Sequence, residues 1–401
     1  MRLRYKAATK TGKIEKGLID AKDINEAAAY LRSKELMPIH IVKDQENPVS
    51  RIFPMLSRVK SSDLIVFTRQ LSSMLSSGLT LMKALSILKD QVQSAAMQEV
   101  VNSIINDIEE GKSLSASIAK YPSVFSTIYV SLIKAGESSG LLDKVLARLA
   151  DNLEKDAKLK STIKSALMYP IIVVILMITV MFIMMIFVIP QLTVLYQNLN
   201  VPLPLPTQIV IAFSNVVGTF WPVILVLGVI GIVLFRRWKK TLEGQLIIDS
   251  IILKLPVFGK LIRQTILAEF SRTFGLLVGT GTLVVDALLE VADTAGNIHY
   301  KNAIVDVSKQ VEKGVTIGDA MSVYPLFPSI LIQLVKIGEQ TGKVDDSLAK
   351  ASEYFEREVD QTVKTLTTAM EPFIMVVLGI GVAFLIISVI TPIYSLISSI
   401  Q

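Results

Sequence analysis

The chain repeats itself. Along its 401 residues, an offset of 203 pairs Phe67 with Phe270, Arg69 with Arg272, Gly78 with Gly281, Ala84 with Ala287, Gly111 with Gly314 and Tyr121-Pro122 with Tyr324-Pro325. One residue is then lost. An offset of 202 goes on to pair Phe125 with Phe327, Lys134 with Lys336, Gly136-Glu137 with Gly338-Glu339, Gly140 with Gly342, Asp143 with Asp345, Pro170 with Pro372 and Pro190 with Pro392. A unit of about 125 residues is a domain rather than one turn of a short solenoid. Whatever the first copy folds into, the second must repeat.

Charge divides each copy. No Asp, Glu, Lys or Arg lies between Lys164 and Arg236, and none from Pro372 to Gln401, although 19% of the chain is charged. Ile171 to Ile189 gives nineteen apolar or hydroxyl residues closed by Pro190, about the length that crosses a hydrocarbon core of roughly 30 Å. The expectation is three transmembrane helices, at 170–190, 216–235 and 372–392, with a Pro-rich external loop at 191–215 and an external tail at 393–401. Lys155, Lys158, Lys160 and Lys164 flank the first span and Arg236, Arg237, Lys239 and Lys240 the second, while the 191–208 loop has no Lys or Arg. By the positive-inside rule the repeats face the cytoplasm.

Residues 1–43 read as a small ββαβ module: Leu3, Tyr5 and Ala7 alternate with Arg4 and Lys6, a second strand runs from Ile14 to Ile19, and Asp23 with Glu26 opens a helix that Pro38 ends. The start, MRLRYKAATK, is charged and lacks an apolar signal core, so the N-terminus is expected in the cytoplasm. Residues 44–60 form a linker. The copies at 61–169 and 236–371 read as all-α bundles, with a stripe of Leu142, Leu146, Leu149 and Leu153 matched by Val344, Leu348, Ala351 and Phe355. The fold class is thus an all-α membrane protein: two homologous cytoplasmic bundles, three spans and a small N-terminal α+β module.

Candidate chemistry is sparse. GEQTGK at Gly338 to Lys343 looks like a phosphate loop, but three residues rather than four separate the glycines and Val344 follows the lysine. A helix-to-helix turn at glycines able to take positive φ explains it better. Glu137 with Asp143, and Glu339 with Asp345, offer paired carboxylates as acids or metal ligands. Against that, they have no histidine partner, and the same glutamates suit capping of a neighbouring helix or salt bridges to Lys134 and Lys336. Only His40 and His299 occur and there is no cysteine, which removes thiolate and Ser-His-Asp sites. GTGT at Gly279 to Thr282 follows a helix rather than a strand, against a dinucleotide site. No cofactor is expected. The net charge of +6 is interleaved with acidic residues, which argues against nucleic acid and suits anionic lipid headgroups. Pro170, Pro190, Pro372 and Pro392 are expected to bound the membrane helices, or else to act as pivots.

Together these residues resemble a known family. The duplicated unit with GE[SQ][ST]G before an amphipathic helix, the Tyr-Pro and Phe ahead of it, the Pro-led spans and the opening RYKAATKTGKIEKGLIDAKDINEAAAYLRSKELMPIHI look like the type II secretion system protein F family, along essentially the whole chain. The copies differ where Lys343 and Asp346 replace Leu141 and Lys144. The resemblance implies a non-enzymatic inner-membrane assembly platform, coupling a cytoplasmic hexameric ATPase to pilin or pseudopilin subunits among other machine components, as a homo-oligomer. On that reading Gly136, Glu137, Gly140, Asp143 and their repeats Gly338, Glu339, Gly342 and Asp345 form a structural or coupling motif. The rival is a transporter or pore with regulatory bundles, although ionisable residues inside spans normally mark transport paths and the charge-free segments hold none.

Overall fold

The computed structural model describes residues 2–8, 14–43, 59–184, 187, 191, 194, 223, 226–256 and 258–400. The expected turn at Gly12, most of the 44–60 linker, nearly all of the 191–215 loop, Pro190 and the first half of the second span lie outside them. The described residues form two units, residues 1–63 with 92–100, and residues 64–91 with 101–401.

At the start of the chain, β1 (Arg2–Ala8), β2 (Ile14–Asp20) and β3 (Met37–Lys43) form an antiparallel sheet of order β2-β1-β3. Helix α1 (Ile24–Ser33) begins where Asp23 accepts from the Glu26 amide at 2.7 Å. Leu3, Ala7, Ala27 and Leu31 are buried, giving this sheet and helix a core of their own. Pro38 lies within β3 rather than before it, because β3 is an edge strand and the register shifts between Lys6 and Ala7, where proline's missing N–H costs no ladder bond.

The first copy contains α2 (Ser61–Ser76), α3 (Leu81–Gln91), α4 (Ala95–Glu109), α5 (Leu114–Ile118), α6 (Thr127–Ser139) and α7 (Leu142–Ile183). After α8 (226–239) and α9 (Leu242–Lys254), the second copy contains α10 (Phe258–Gly279), α11 (Val284–Thr294), α12 (Ile298–Glu312), α13 (Ile317–Ser322), α14 (Ser329–Thr341) and α15 (Val344–Ile400). The correspondence is one to one and extends to the core: Phe67 meets Phe125 with ring centroids 6.4 Å apart, and Phe270 meets Phe327 at 6.0 Å.

Pro170, Pro372 and Pro392 do not end their helices. Helix α7 runs unbroken through Pro170 for 42 residues, about 63 Å at 1.5 Å per residue, and the 57 residues of α15 pass through both Pro372 and Pro392. Each proline forfeits one bond, leaving the carbonyls of Ala166, Thr368 and Ser388 without their i+4 donor. Prolines are tolerated in membrane helices because neighbouring helices and local adjustments compensate. The apolar parts of α7 and α15 are long enough to cross a membrane, with mean hydropathies of 2.7 and 1.8 in their most apolar stretches. Few of those side chains are buried, Ile172, Leu176, Met375 and Ile380 among the exposed. There the two helices approach: a Cβ at Gly381 would lie 3.8 Å from the Met177 sulfur.

Candidate functional site

The repeated motif builds the same corner twice. Helices α6 and α14 end at Gly140 and Gly342, both left-handed, with φ of 69° and 67°. The next amide reaches back to close the turn, Leu141 N to Gly136 O at 3.0 Å and Lys343 N to Gly338 O at 2.8 Å. This 6→1 bond is the Schellman arrangement, and its αL position suits glycine because a Cβ there is strained. Gly136 and Gly338 serve a different need, the close approach of the following helix. A Cβ at Gly338 would stand 2.9 Å from the Val344 Cα, and one at Gly136 3.1 Å from the Val145 Cβ.

The glutamates cap. Glu137 accepts from the Leu114 and Ser115 amides at 2.5 and 3.0 Å, and Glu339 from the Ile317 and Gly318 amides at 2.5 and 2.9 Å. Ser113 and Thr316 take the next donors, the amides of Ala116 and Asp319. Three otherwise orphaned N–H groups at the start of each short helix are thereby satisfied. Of the readings open to these glutamates, this is the capping one, and Lys336 pairs with Asp319 at 2.7 Å rather than with Glu339. Asp143 and Asp345 lie in the first turns of α7 and α15, where a carboxylate complements the helix dipole. The GEQTGK stretch is the end of α14 and the turn into α15, and its Lys343 amide is committed to Gly338. Among the described residues no three His, Asp or Glu side chains are placed to hold a metal. His299 sits in the first turn of α12, its Nε2 3.2 Å from the Leu246 carbonyl.

Both corners feed a junction between the copies that the sequence pairing did not disclose. Arg69 and Arg272 are repeat equivalents and each binds the matching glutamate, Arg69 to Glu154 at 2.6 Å and Arg272 to Glu356 at 2.8 Å. Arg69 is 39% exposed and also holds Asp151, whereas Arg272 is 8% exposed and turns to the other copy, to Asn152 at 3.2 Å and Asp156 at 3.5 Å. Arg148 donates to the Gly279 carbonyl at 2.9 Å and Ser131 to Glu290 at 2.8 Å. A cavity of about 270 Å³ lies between the copies, lined by Asn152, Asp156, Lys160, Glu269 and Arg272 among others. The one advance signal was that Arg69 and Arg272 recur.

Glu269 is the titratable group to watch there. Burial, then the nearby Asp156 carboxylate, push its pKa above the ordinary carboxylate range, against Lys160 and Arg272. A carboxyl whose folded pKa is raised adds stability that is complete below its unfolded pKa and lost as pH rises through the folded value. The thermal midpoint of the wild-type chain is therefore expected to fall, relative to Glu269→Gln, as pH rises from the ordinary glutamate pKa toward neutrality. Parallel pH profiles for the two proteins would refute this.

A twice-written helical unit that turns through a corner into a long apolar helix defines a duplicated, membrane-directed helical protein, and the comparisons name its kind. The chain belongs to the type II secretion system protein F family. The family model described as "Type II secretion system (T2SS), protein F" matches residues 67–190 and again 270–392, and the one for the protein F N-terminal domain matches residues 4–43. The chain is 34% identical over 401 residues to the type IV pilus assembly protein PilC of Thermus thermophilus, covering 99% of this chain and 98% of that one. It is 34% identical over 399 residues to PilC of Myxococcus xanthus, covering 99% and 95%. Against the type II secretion system protein F of Vibrio cholerae it is 26% identical over 393 residues, covering 97% of each.

Proposed function

We propose that this protein is a non-catalytic platform of the bacterial inner membrane that couples a cytoplasmic hexameric ATPase to the assembly of pilin or pseudopilin subunits. Its copies face the cytoplasm, it crosses the membrane three times, and it works as a homo-oligomer beside other components of the machine. The observation that carries the reading is the continuity of α7 and α15, each an unbroken rod from a corner into an apolar segment. A rod transmits displacement, where a flexible linker would absorb it. The corner residues Gly136, Glu137, Gly140 and Asp143, with Gly338, Glu339, Gly342 and Asp345, lock each rod to its bundle. Relatives named for pilus assembly and for type II secretion support this direction.

The test softens one rod. Ser165→Gly combined with Ala166→Gly places two glycines in α7, at about 1 kcal/mol in helix propensity for the alanine and about half that for the serine. Pilus assembly or secretion is expected to be lost while the ATPase still co-purifies with the variant. Normal filaments from that variant would remove the coupling role. Solute flux through liposomes holding this chain alone would make it a transporter instead.

A further inference from the structure

Helix α9 is apolar on both sides. Its inner side is accounted for: Leu253 is buried, and Asp249 accepts from the Ile298 amide at 2.8 Å. Its outer side presents Ile247 and Ile251 at helical spacing, 49% and 55% exposed, and the patch continues past the helix end with Leu255 at the extended C-cap, 45% exposed, and Phe258 just beyond. In water such a stripe is unfavourable, and apolar faces of this kind mark binding surfaces.

Its position says what covers it. Helix α8 completes the charge-free run that ends at Phe235 and passes at once into Arg236, Arg237, Lys239 and Lys240. Phe235 and Trp238 lie with ring centroids 6.1 Å apart, and Trp238 is 41% exposed. Aromatic rings beside cations mark the headgroup level of a bilayer. Helix α9 starts at that level, because Thr241 Oγ1 donates to the Trp238 carbonyl at 2.7 Å and Gly244 packs so close that a Cβ would stand 2.1 Å from that oxygen. Lys254 and Lys260, both exposed, continue the cationic flank.

We propose that α9 is an interfacial helix, its Ile247–Ile251–Leu255 stripe seated among the acyl chains of an anionic leaflet while the flanking Arg and Lys bind lipid phosphates. This rests on the reading of α8 as part of a membrane span. The second copy is thereby held to the surface by the helix that leads into it as well as by α15.

The chain has no cysteine, so single exposed positions can be labelled cleanly. Ile247→Cys, Ile251→Cys and Leu255→Cys would each carry a bimane in the full chain, in nanodiscs of phosphatidylcholine and phosphatidylglycerol. Val229→Cys in α8 and Lys313→Cys serve as membrane and water references. Brominated lipid is expected to quench the three α9 labels about as strongly as Val229→Cys, and aqueous iodide to quench them far less than Lys313→Cys. Iodide quenching without lipid quenching would overturn the proposal by placing the stripe in water. Quenching by neither would overturn it by placing a protein there, a second copy or a partner. Loss of lipid quenching at Val229→Cys itself would bring down the span, and the proposal with it.

Discussion

Replacing Arg272 by alanine is expected to cost about 3 kcal/mol, whereas the same change at its repeat equivalent Arg69 costs under about 1 kcal/mol. The two side chains have the same chemistry and the same glutamate partner in their own copies, so burial decides the difference. Arg69 lies 39% exposed, in water that screens its pairs with Asp151 and Glu154. Arg272 is 8% exposed, and removing it takes the cation from Glu356, leaving that carboxylate the Ser352 hydroxyl at 3.1 Å, takes a donor from the Asn152 oxygen, and leaves Asp156 to Lys160. At 2–4 °C per kcal/mol for a domain of this size, Arg272→Ala lowers the thermal midpoint by roughly 6–12 °C. Arg272→Lys restores little, because the three partners are met by three separate guanidinium nitrogens, Nε, Nη1 and Nη2, and a single ammonium nitrogen cannot reach all three places. Equal and small losses at both arginines would show that the junction is wet and contributes no more than a surface pair.

The second large effect falls on the corner. Alanine in place of a helical glycine ordinarily gains about 1 kcal/mol. At Gly338 the sign is expected to reverse, since the new Cβ would meet the backbone of Val344 at 2.9 Å and a backbone atom cannot rotate away. Gly338→Ala then costs about 1 kcal/mol and Gly338→Val about 3 kcal/mol. Gly136 is a little less tight, with the Val145 Cβ at 3.1 Å and the Leu142 Cα at 3.2 Å; neither atom can rotate away, so Gly136→Ala is expected to forfeit the usual gain and to cost less than Gly338→Ala. Glu339→Ala belongs with the large effects: it orphans the Ile317 and Gly318 amides, and a hydrogen bond to a charged group is worth about 1.5–3 kcal/mol. Denaturation midpoints of these variants are the measurement. A stabilised Gly338→Ala would mean that α14 and α15 do not approach so closely.

Much of this was legible in the chain itself. The offsets of 203 and 202 fix the duplication, and the stripe from Leu142 to Leu153 announces a helix. Gly140 and Gly342 stand where a left-handed cap is needed. What local pattern could not carry was contact across distance. Glu137 meets amides 22 and 23 residues before it, so the choice between capping and a salt bridge to Lys134 stayed open until the fold was in hand. Helix continuity at Pro170 and Pro372 was hidden for a related reason: the rule that proline ends a helix weighs one lost bond, and both helices run on through it. The Arg69 and Arg272 pairing was plain, yet their inequality arises from how the copies meet, which neither copy's sequence contains.

Because α7 and α15 are continuous, counting residues along them is the same as measuring angle. Pro170 follows Gly140, and Pro372 follows Gly342, by the same 30 positions, a little over eight turns at 3.6 residues each. One residue added or lost between corner and proline would rotate the apolar segment about 100° against its bundle and turn a different face to its neighbours. The number of residues in each rod thus acts as a phase setting. Insertions that a loop would absorb are there expected to misdirect the whole segment, even when every contact within the bundle survives.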